Sequence, residues 1–215
     1  ILRKKNIFAN NGILEKKIEK FYSYYKKNKL SQLPFVTNKI ATSKDYFIKN
    51  ILKKNITNEY SRKTSHFLRY QNNGILISYN TLNDDNPLLN CRIQGLEKYS
   101  PVRIILDKSL KISLKSKITK TSNEYKTIIF YNKGNVNKIE SLKSRKIKLI
   151  KLSLNKKKEF ELINVLSHIF KNKISRILVE GGGKLTNSLL QNDLIDEFFW
   201  FKSNKAIKEN GKINI

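Results

Sequence analysis

The stretch RILVEGGGKLTNSLL, residues 176–190, sets a short apolar run, a carboxylate and three glycines directly before a segment with helical spacing. A strand that ends in glycines and opens into a helix bares backbone N–H groups beside the positive helix end. The missing Cβ atoms let an anion approach that backbone. Gly182, Gly183 and the four donors Lys184, Thr186, Asn187 and Ser188 would then cradle a phosphate or diphosphate. The same residues also fit a tight strand–helix turn that holds nothing, and the local pattern leaves both open. Neither standard phosphate motif is present. Leu185 follows Gly183-Lys184 where a P-loop needs Ser or Thr, and no third glycine completes G-x-G-x-x-G. Glu180 stands at the carboxyl end of the apolar run, the edge at which open α/β sheets bind ligands.

Two arginines add to this. Arg69 closes the run SHFLR, and Arg92 closes TLNDDNPLLNCR, residues 81–92. Their planar forks suit a phosphate or a pair of carbonyls better than lysine would. The plainer alternatives are a cation at a helix C-terminus for Arg69 and a solvated charge for Arg92.

These residues need a scaffold. Leu14, Ile18, Phe21, Tyr22 and Tyr25 recur at helical spacing over 13–28, and residues 33–42 read as a strand. The Lys/Asn-rich stretch to Asn55 reads as a loop. Thr57 is the expected cap of a helix whose apolar stripe is Tyr60, Thr64, Phe67 and Leu68. Short β-rich runs follow at 74–78, 102–107, 126–132 and 146–152. A helix is expected over 158–171, facing inward through Leu162, Ile163, Leu166, Ile169 and Phe170. RILVE is a further strand, the residues after the glycines a helix, and EFFWF (197–201) a continuous apolar strand with Trp200 in the core. Uninterrupted apolar runs alternating with helices predict an α/β fold: a mostly parallel sheet covered by helices on both faces.

Composition narrows the class. The 215 residues carry 44 Lys and Arg against 17 Asp and Glu, a net charge of +27. The lysines are spread through every segment and few of the cations are arginine, so codon bias in an A+T-rich genome explains the charge better than nucleic-acid binding does. No nucleic-acid partner is expected, and no apolar run is long enough for a membrane. Cys91 is the sole cysteine, and His66 and His168 lie far apart, so neither a disulfide nor a metal site is expected. The protein reads as cytoplasmic. It contains no methionine and opens on Ile1, so it is expected to be a piece of a longer polypeptide.

Taken together, PFVTNKIATSKD, LRYQNNGILIS, TLNDDNPLLNCR, PVRIILD and ILVEGGGKLTNSLL resemble, in order and spacing, the reductase domain of the bifunctional riboflavin-biosynthesis deaminase/reductase. The resemblance runs from about residue 10 to residue 201. It implies a dihydrofolate-reductase-like fold, NADPH as hydride donor, and reduction of the ribosyl group of 5-amino-6-(5-phosphoribosylamino)uracil. By position, Arg69, Leu89, Arg92 and Glu180 fall on substrate-contacting positions. Ala41, Thr81, Asp85 and the run Gly182, Gly183, Lys184, Leu185, Thr186, Asn187 and Ser188 fall on NADPH-contacting ones. Lys39, Asp85 and Glu180 are the candidates for proton transfer, with Lys39 near the reacting sugar.

Residues 1–32 correspond to the tail of the deaminase domain and a linking helix, and 33–215 to the reductase domain, expected to be C-terminally incomplete. The resemblance also implies a homodimer and an N-terminal zinc deaminase domain, whose His-x-Glu and Pro-Cys-x-x-Cys signature this chain lacks. Two other readings stay open at this point. One is a dihydrofolate-reductase-like enzyme with another substrate. The other is a basic nucleic-acid-binding or non-catalytic remnant domain.

Overall fold

A computed structural model describes residues 3–8, 10, 12–50, 56, 58–208 and 211–214. In chain order the elements are α1 (Glu15–Ser31), β1 (Phe35–Thr42), β2 (Phe47–Asn50), α2 (Glu59–Gln71), β3 (Gly74–Ser78), α3 (Tyr79–Asp85) and β4 (Val102–Leu106). They continue as α4 (Lys117–Lys120), β5 (Thr127–Tyr131), α5 (Val136–Lys143), β6 (Lys148–Lys151), α6 (Leu162–Lys171), β7 (Arg176–Val179), α7 (Gly183–Gln191), β8 (Glu197–Lys202) and β9 (Gly211–Asn214).

Seven strands form one sheet in the order β6-β5-β4-β3-β7-β1-β8. All the neighbours in it run parallel. Parallel strands need both faces covered, because each crossover returns over the sheet. Alternate side chains supply the two faces. Leu76, Ile104, Phe130 and Val179 pack with Val165, Leu166 and Ile169 of α6 and with Leu185 and Leu189 of α7. Ile75, Ile77, Ile105, Ile129 and Leu178 pack on the other side with Leu68 of α2, Leu82 of α3 and Leu142 of α5. The expected mostly parallel, helix-flanked α/β sheet is what forms.

Strand order places the ligand edge. From β3 the chain winds outward through β4, β5 and β6, then returns to insert β7 between β3 and β1. The order therefore reverses around β7, and the carboxyl ends of β3, β7 and β1 open on a common crevice. Glu180 directly follows β7, and its backbone N–H still bonds the Leu76 carbonyl at 3.2 Å.

Several local expectations are corrected. Residues 47–50, read as loop, form β2, which pairs antiparallel with β9. The chain beyond residue 201 thus adds a strand, outside the large sheet. Of the same loop, residues 51–55 lie outside the described residues, as does Thr57. Asn58 caps α2 by accepting from Ser61 N at 2.9 Å. The helix buries Ser65 and Leu68, while Tyr60 (78% exposed) and Phe67 face outward. Helix α6 starts at Leu162 rather than 158, because the Asn155 side chain accepts from the N–H groups of Lys157 and Glu159 and closes a turn there. Its inner side holds Val165 in place of the expected Ile163, which is exposed.

Strand β8 is the sheet edge, so it is not buried on both faces. Its residues alternate, leaving Phe198 exposed and Trp200 48% exposed. Trp200, expected in the core, instead lies against the Tyr46 ring and donates from Nε1 to Thr42 Oγ1 at 2.8 Å. The stripe of α1 behaves similarly: Leu14, Ile18, Phe21, Tyr22 and Tyr25 are exposed, and the helix is tied to the domain through polar contacts. Asn28 donates to the carbonyls of Leu33 and Ser175, and Lys27 pairs with Asp196.

Candidate active site

At the carboxyl edge of β7, Arg69 and Glu180 meet in a two-pronged ion pair. Arg69 Nε donates to Glu180 Oε1 and Nη2 to Oε2, both at 2.9 Å. The third prong, Nη1, donates to the Asn90 carbonyl at 3.1 Å. The pair is largely enclosed, with the two side chains 12% and 14% exposed. Burial alone would push the Glu180 carboxyl up. Arg69 outweighs it, Lys39 and His66 add to the pull, and the group is held down at about 2. Glu180 is therefore a carboxylate at neutral pH, suited to accept hydrogen bonds rather than to give a proton.

Lys39, on β1, acts on this carboxylate through its charge, its Nζ lying 5.5 Å from the centre of the Phe201 ring. Arg92 is brought to the same cluster through His66, a residue that neither histidine spacing nor the glycine motif singled out. His66 lies one turn before Arg69 on α2, so both point to one side of the helix. Arg92 Nε approaches His66 Nε2 at 3.2 Å and Arg92 N approaches Nδ1 at 3.2 Å. The sequence signal was the i, i+3 spacing of His66 and Arg69, legible only once Arg69 counts as a site residue.

Leu89 is oriented differently from the charged residues. Its side chain is 3% exposed and belongs to the core, and its backbone is left-handed at φ 59°. Any substrate contact there comes from the backbone. The left-handed φ turns the chain between Leu88 and Asn90, a conformation uncommon for a non-glycine residue.

On the other side of Glu180 lies the glycine turn. Gly182 is the N-cap of α7 and offers no side chain to its first-turn N–H groups. None of the three glycines has a positive φ, so they are not needed for backbone conformation. At Gly181 space is the reason, since a Cβ there would press on Leu185 at 3.1 Å; a Cβ on Gly182 would make one ordinary contact, 3.9 Å from Thr81 Oγ1, and stand in the opening between α7 and α3. Beside this gap is a cleft of about 390 Å³ whose walls include Ser78, Tyr79, Lys108, Lys111, Lys184 and Ser188.

The run 182–188 divides by helical position. Lys184, Leu185 and Ser188 border the cleft, Leu185 being mostly core. Thr186 is buried and contacts Asn38 Oδ1 at 3.3 Å, and Asn187 is exposed. Asn38 Nδ2 is left buried without a hydrogen-bond partner. Thr81 is anchored to Ser78 at the start of α3, Asp85 is exposed in its last turn, and Ala41 is half-buried near the end of β1. A roomier cavity, about 600 Å³, lies at the opposite edge, lined by the strand starts Val102, Thr127 and Lys148. Parallel sheets bind at their carboxyl edge, which favours the smaller cleft.

Among the described residues, no helix is long and apolar enough to cross a membrane. No group of three or more His, Cys, Asp or Glu among them could hold a metal ion.

Comparison with known proteins agrees with this geometry. The model of the RibD C-terminal domain family matches residues 34–204. The chain is 32% identical over 214 residues to the riboflavin biosynthesis protein RibD of Aquifex aeolicus, covering 97% of this chain and 57% of that protein. It is 27% identical over 174 residues to the 5-amino-6-(5-phosphoribosylamino)uracil reductase of Buchnera aphidicola subsp. Acyrthosiphon pisum, covering 73% of this chain and 78% of that one. The chain spans little more than half of the RibD proteins it matches, 57% and 54% for two of them.

Among solved structures, Acinetobacter baumannii RibD superposes with a TM-score of 0.78 at 21% identity, over 98% of this chain and 57% of that one. The riboflavin biosynthesis reductase Rib7 of Saccharomyces cerevisiae gives 0.72 at 22%, over 92% and 87%. At such identities the likeness shows the fold, which is the expected dihydrofolate-reductase-like one. A family match over most of the chain, on a sheet whose order reverses at the strand bearing Glu180, makes this protein a member of the RibD C-terminal domain family.

Proposed function

We propose that the chain reduces the ribosyl group of 5-amino-6-(5-phosphoribosylamino)uracil to the ribityl product, with NADPH as reductant. The observation that carries the reading is the Arg69–Glu180–Lys39–His66–Arg92 cluster, next to a glycine-lined helix start at the same sheet edge. The named activity of the Buchnera relative supports it, as does membership of the family.

The residues fit the cofactor. Lys108, Lys111 and Lys184 outnumber Glu159 and the buried Asp107 in the cleft wall, and the capless α7 start with Gly182 leaves room for a diphosphate. We assign cofactor contacts to Ala41, Thr81, Asp85 and residues 182–188. When bound, NADPH supplies the hydride. Arg92, Arg69, Glu180 and the Leu89 backbone are assigned to the substrate, the guanidinium of Arg92 to its acidic group. Because Glu180 stays ionised, its role is to accept from the sugar or pyrimidine while fixing Arg69. The Lys39 ammonium, whose charge acts on that carboxylate, is assigned the proton that the ribosylamine takes up as its sugar is reduced. Asp85, exposed on α3, is assigned to the cofactor rather than to that proton.

An N-terminal zinc deaminase domain belongs to the same proposal, since the RibD proteins extend beyond the matched region; the homodimer and a cytoplasmic location belong to it through the family resemblance alone. The deciding experiment follows NADPH absorbance at 25 °C on addition of the aminouracil ribotide. Loss of absorbance that needs both compounds supports the reading. A protein that leaves NADPH untouched, or that oxidises it equally with dihydrofolate, overturns it.

A further inference from the structure

Arg69 has its orientation set by a carboxylate and a carbonyl. Arg92, the other fork of the site, is exposed and meets an imidazole instead. His66 touches it twice: Nε2 lies 3.2 Å from Arg92 Nε, and Nδ1 lies 3.2 Å from the Arg92 backbone nitrogen. A neutral imidazole has one acceptor nitrogen, so only one of these contacts is a hydrogen bond at a time. A guanidinium N–H is the stronger donor. Nε2 therefore accepts from Arg92 Nε; the ring proton then sits on Nδ1, and the Arg92 backbone N–H that points at that nitrogen has no acceptor in the ring.

The surroundings hold the ring in the required neutral form. Burial and the charges of Arg69 and Arg92 lower its pKa to about 4, against the opposing pull of Glu180 and the Asn90 carbonyl. A protonated ring would lose the acceptor and set a third cation between two guanidinium groups.

We infer that His66 is the positioning residue for Arg92: its neutral Nε2 takes up Arg92 Nε and leaves Nη1 and Nη2 for the acidic group of the phosphorylated substrate. The inference rests on the function proposed above and names a residue for it. His66 contributes a second, separable contact through its backbone, whose carbonyl accepts from Cys91 Sγ at 3.7 Å. That contact survives replacement of the side chain, so His66 variants keep the 91–92 segment against α2.

The test compares His66→Ala, His66→Gln, His66→Asn, Arg92→Ala and the double variant His66→Ala/Arg92→Ala, with thermal melts as a check on folding. Gln carries an acceptor at the reach of Nε2 and Asn one at the reach of Nδ1. The expected result for His66→Ala is a rise of about tenfold in KM for the ribotide, the size of one lost hydrogen bond to a charged group. kcat and KM for NADPH stay within about twofold, and Gln restores KM while Asn does not. In the Arg92→Ala background, removing His66 changes nothing further, because its effect passes through Arg92. Equal and additive losses in kcat and melting temperature would assign His66 to folding alone and overturn the inference. So would an unchanged KM in a wild type that turns over. A wild type without turnover sinks the proposed function instead, and this inference with it.

Discussion

The Arg69 guanidinium and the Glu180 carboxylate lie edge to edge, with both Nε–Oε1 and Nη2–Oε2 at 2.9 Å, and join helix α2 to the end of strand β7 across 111 positions of sequence. The pair is enclosed, so removing one partner strands the other. Glu180→Gln leaves a buried cation without its counter-charge, and Arg69→Met leaves a buried anion. Each single variant should lose about 3 kcal/mol of unfolding free energy in urea titrations. The double variant Arg69→Met/Glu180→Leu should regain most of that loss, since two apolar side chains replace two charges. It should stay inactive with the ribotide. Stability that falls further in the double variant would mean that the pair is held by its packing rather than by its charge.

The same cluster sets a pH dependence. Glu180 is held at about 2 against 4.5 when free, so the stability it contributes is complete above 4.5 and is lost as pH falls toward 2. Asp45 acts in the same window: Ser43 and the N–H groups of Lys208 and Ile207 hold it at about 2. His66 has the opposite charge type but the same direction. Its pKa falls from 6.5 to about 4, so the unfolded chain binds the extra proton first and folding weakens between those values. Urea midpoints should accordingly decline below pH 6.5 and decline further below 4.5. In His66→Gln the upper part of the decline should vanish while the lower part persists. A midpoint that rises on acidification would contradict both assignments.

How much of this was open to inspection in the sequence depends on which residue is asked about. β3, β4, β5 and β7 announced themselves because strands buried on both faces are apolar at nearly every position, the buried Arg103 of β4 being an exception, and runs such as GILIS and RILV have little else they can do. Glu180 and the glycines were legible because they interrupt such a run at its end. Faces were harder to read. EFFWF has the same composition as a central strand, and only its edge place in the sheet order exposes Phe198 and Trp200. Tyr60 and Phe67 occur at a plausible helical spacing, but α2 buries Ser65 and Leu68 instead. His66 was passed over for a related reason. Its link to Arg92 runs through a left-handed turn at Leu89 and its link to Arg69 passes by the Asn90 carbonyl, neither of which leaves a mark in residue type.

Arg103 supports the site from below. It is fully buried in β4 and spends its guanidinium on neutral acceptors: the carbonyls of Leu88, Ile118 and Tyr125 and the hydroxyls of Thr121 and Thr127. Burial lowers its pKa to about 10, so it stays charged at neutral pH. The Leu88 contact directly precedes the left-handed Leu89, so Arg103 ties down the segment that leads to Asn90 and Arg92. Arg103→Met should cost about 3 kcal/mol, since several buried carbonyls lose their donor at once. Arg103→Lys should recover only part, because one ammonium cannot span acceptors on α4, β5 and the 86–90 segment together. Chemical denaturation of both variants tests this. A methionine variant as stable as the parent would mean that water serves those carbonyls.

Gly182 allows cofactor binding to be separated from folding. Its backbone needs no glycine, with φ −74° and ψ 170°, and a methyl group there would meet Thr81 Oγ1 at 3.9 Å, an ordinary contact. Gly182→Ala should therefore fold, losing less than about 1 kcal/mol for an alanine at a helix N-cap. The methyl group would nevertheless occupy the gap through which a diphosphate reaches the first-turn N–H groups of α7. KM for NADPH should rise at least about tenfold, while KM for the ribotide, on the far side of Glu180, changes little. Gly181→Ala is the contrasting case. Its methyl group would press on Leu185 at 3.1 Å, which packs in the core, so it should lower stability more than Gly182→Ala does. Equal cofactor affinity in wild type and Gly182→Ala would show that the diphosphate does not rest on this turn, and the contacts assigned to residues 182–188 would have to move elsewhere along the cleft.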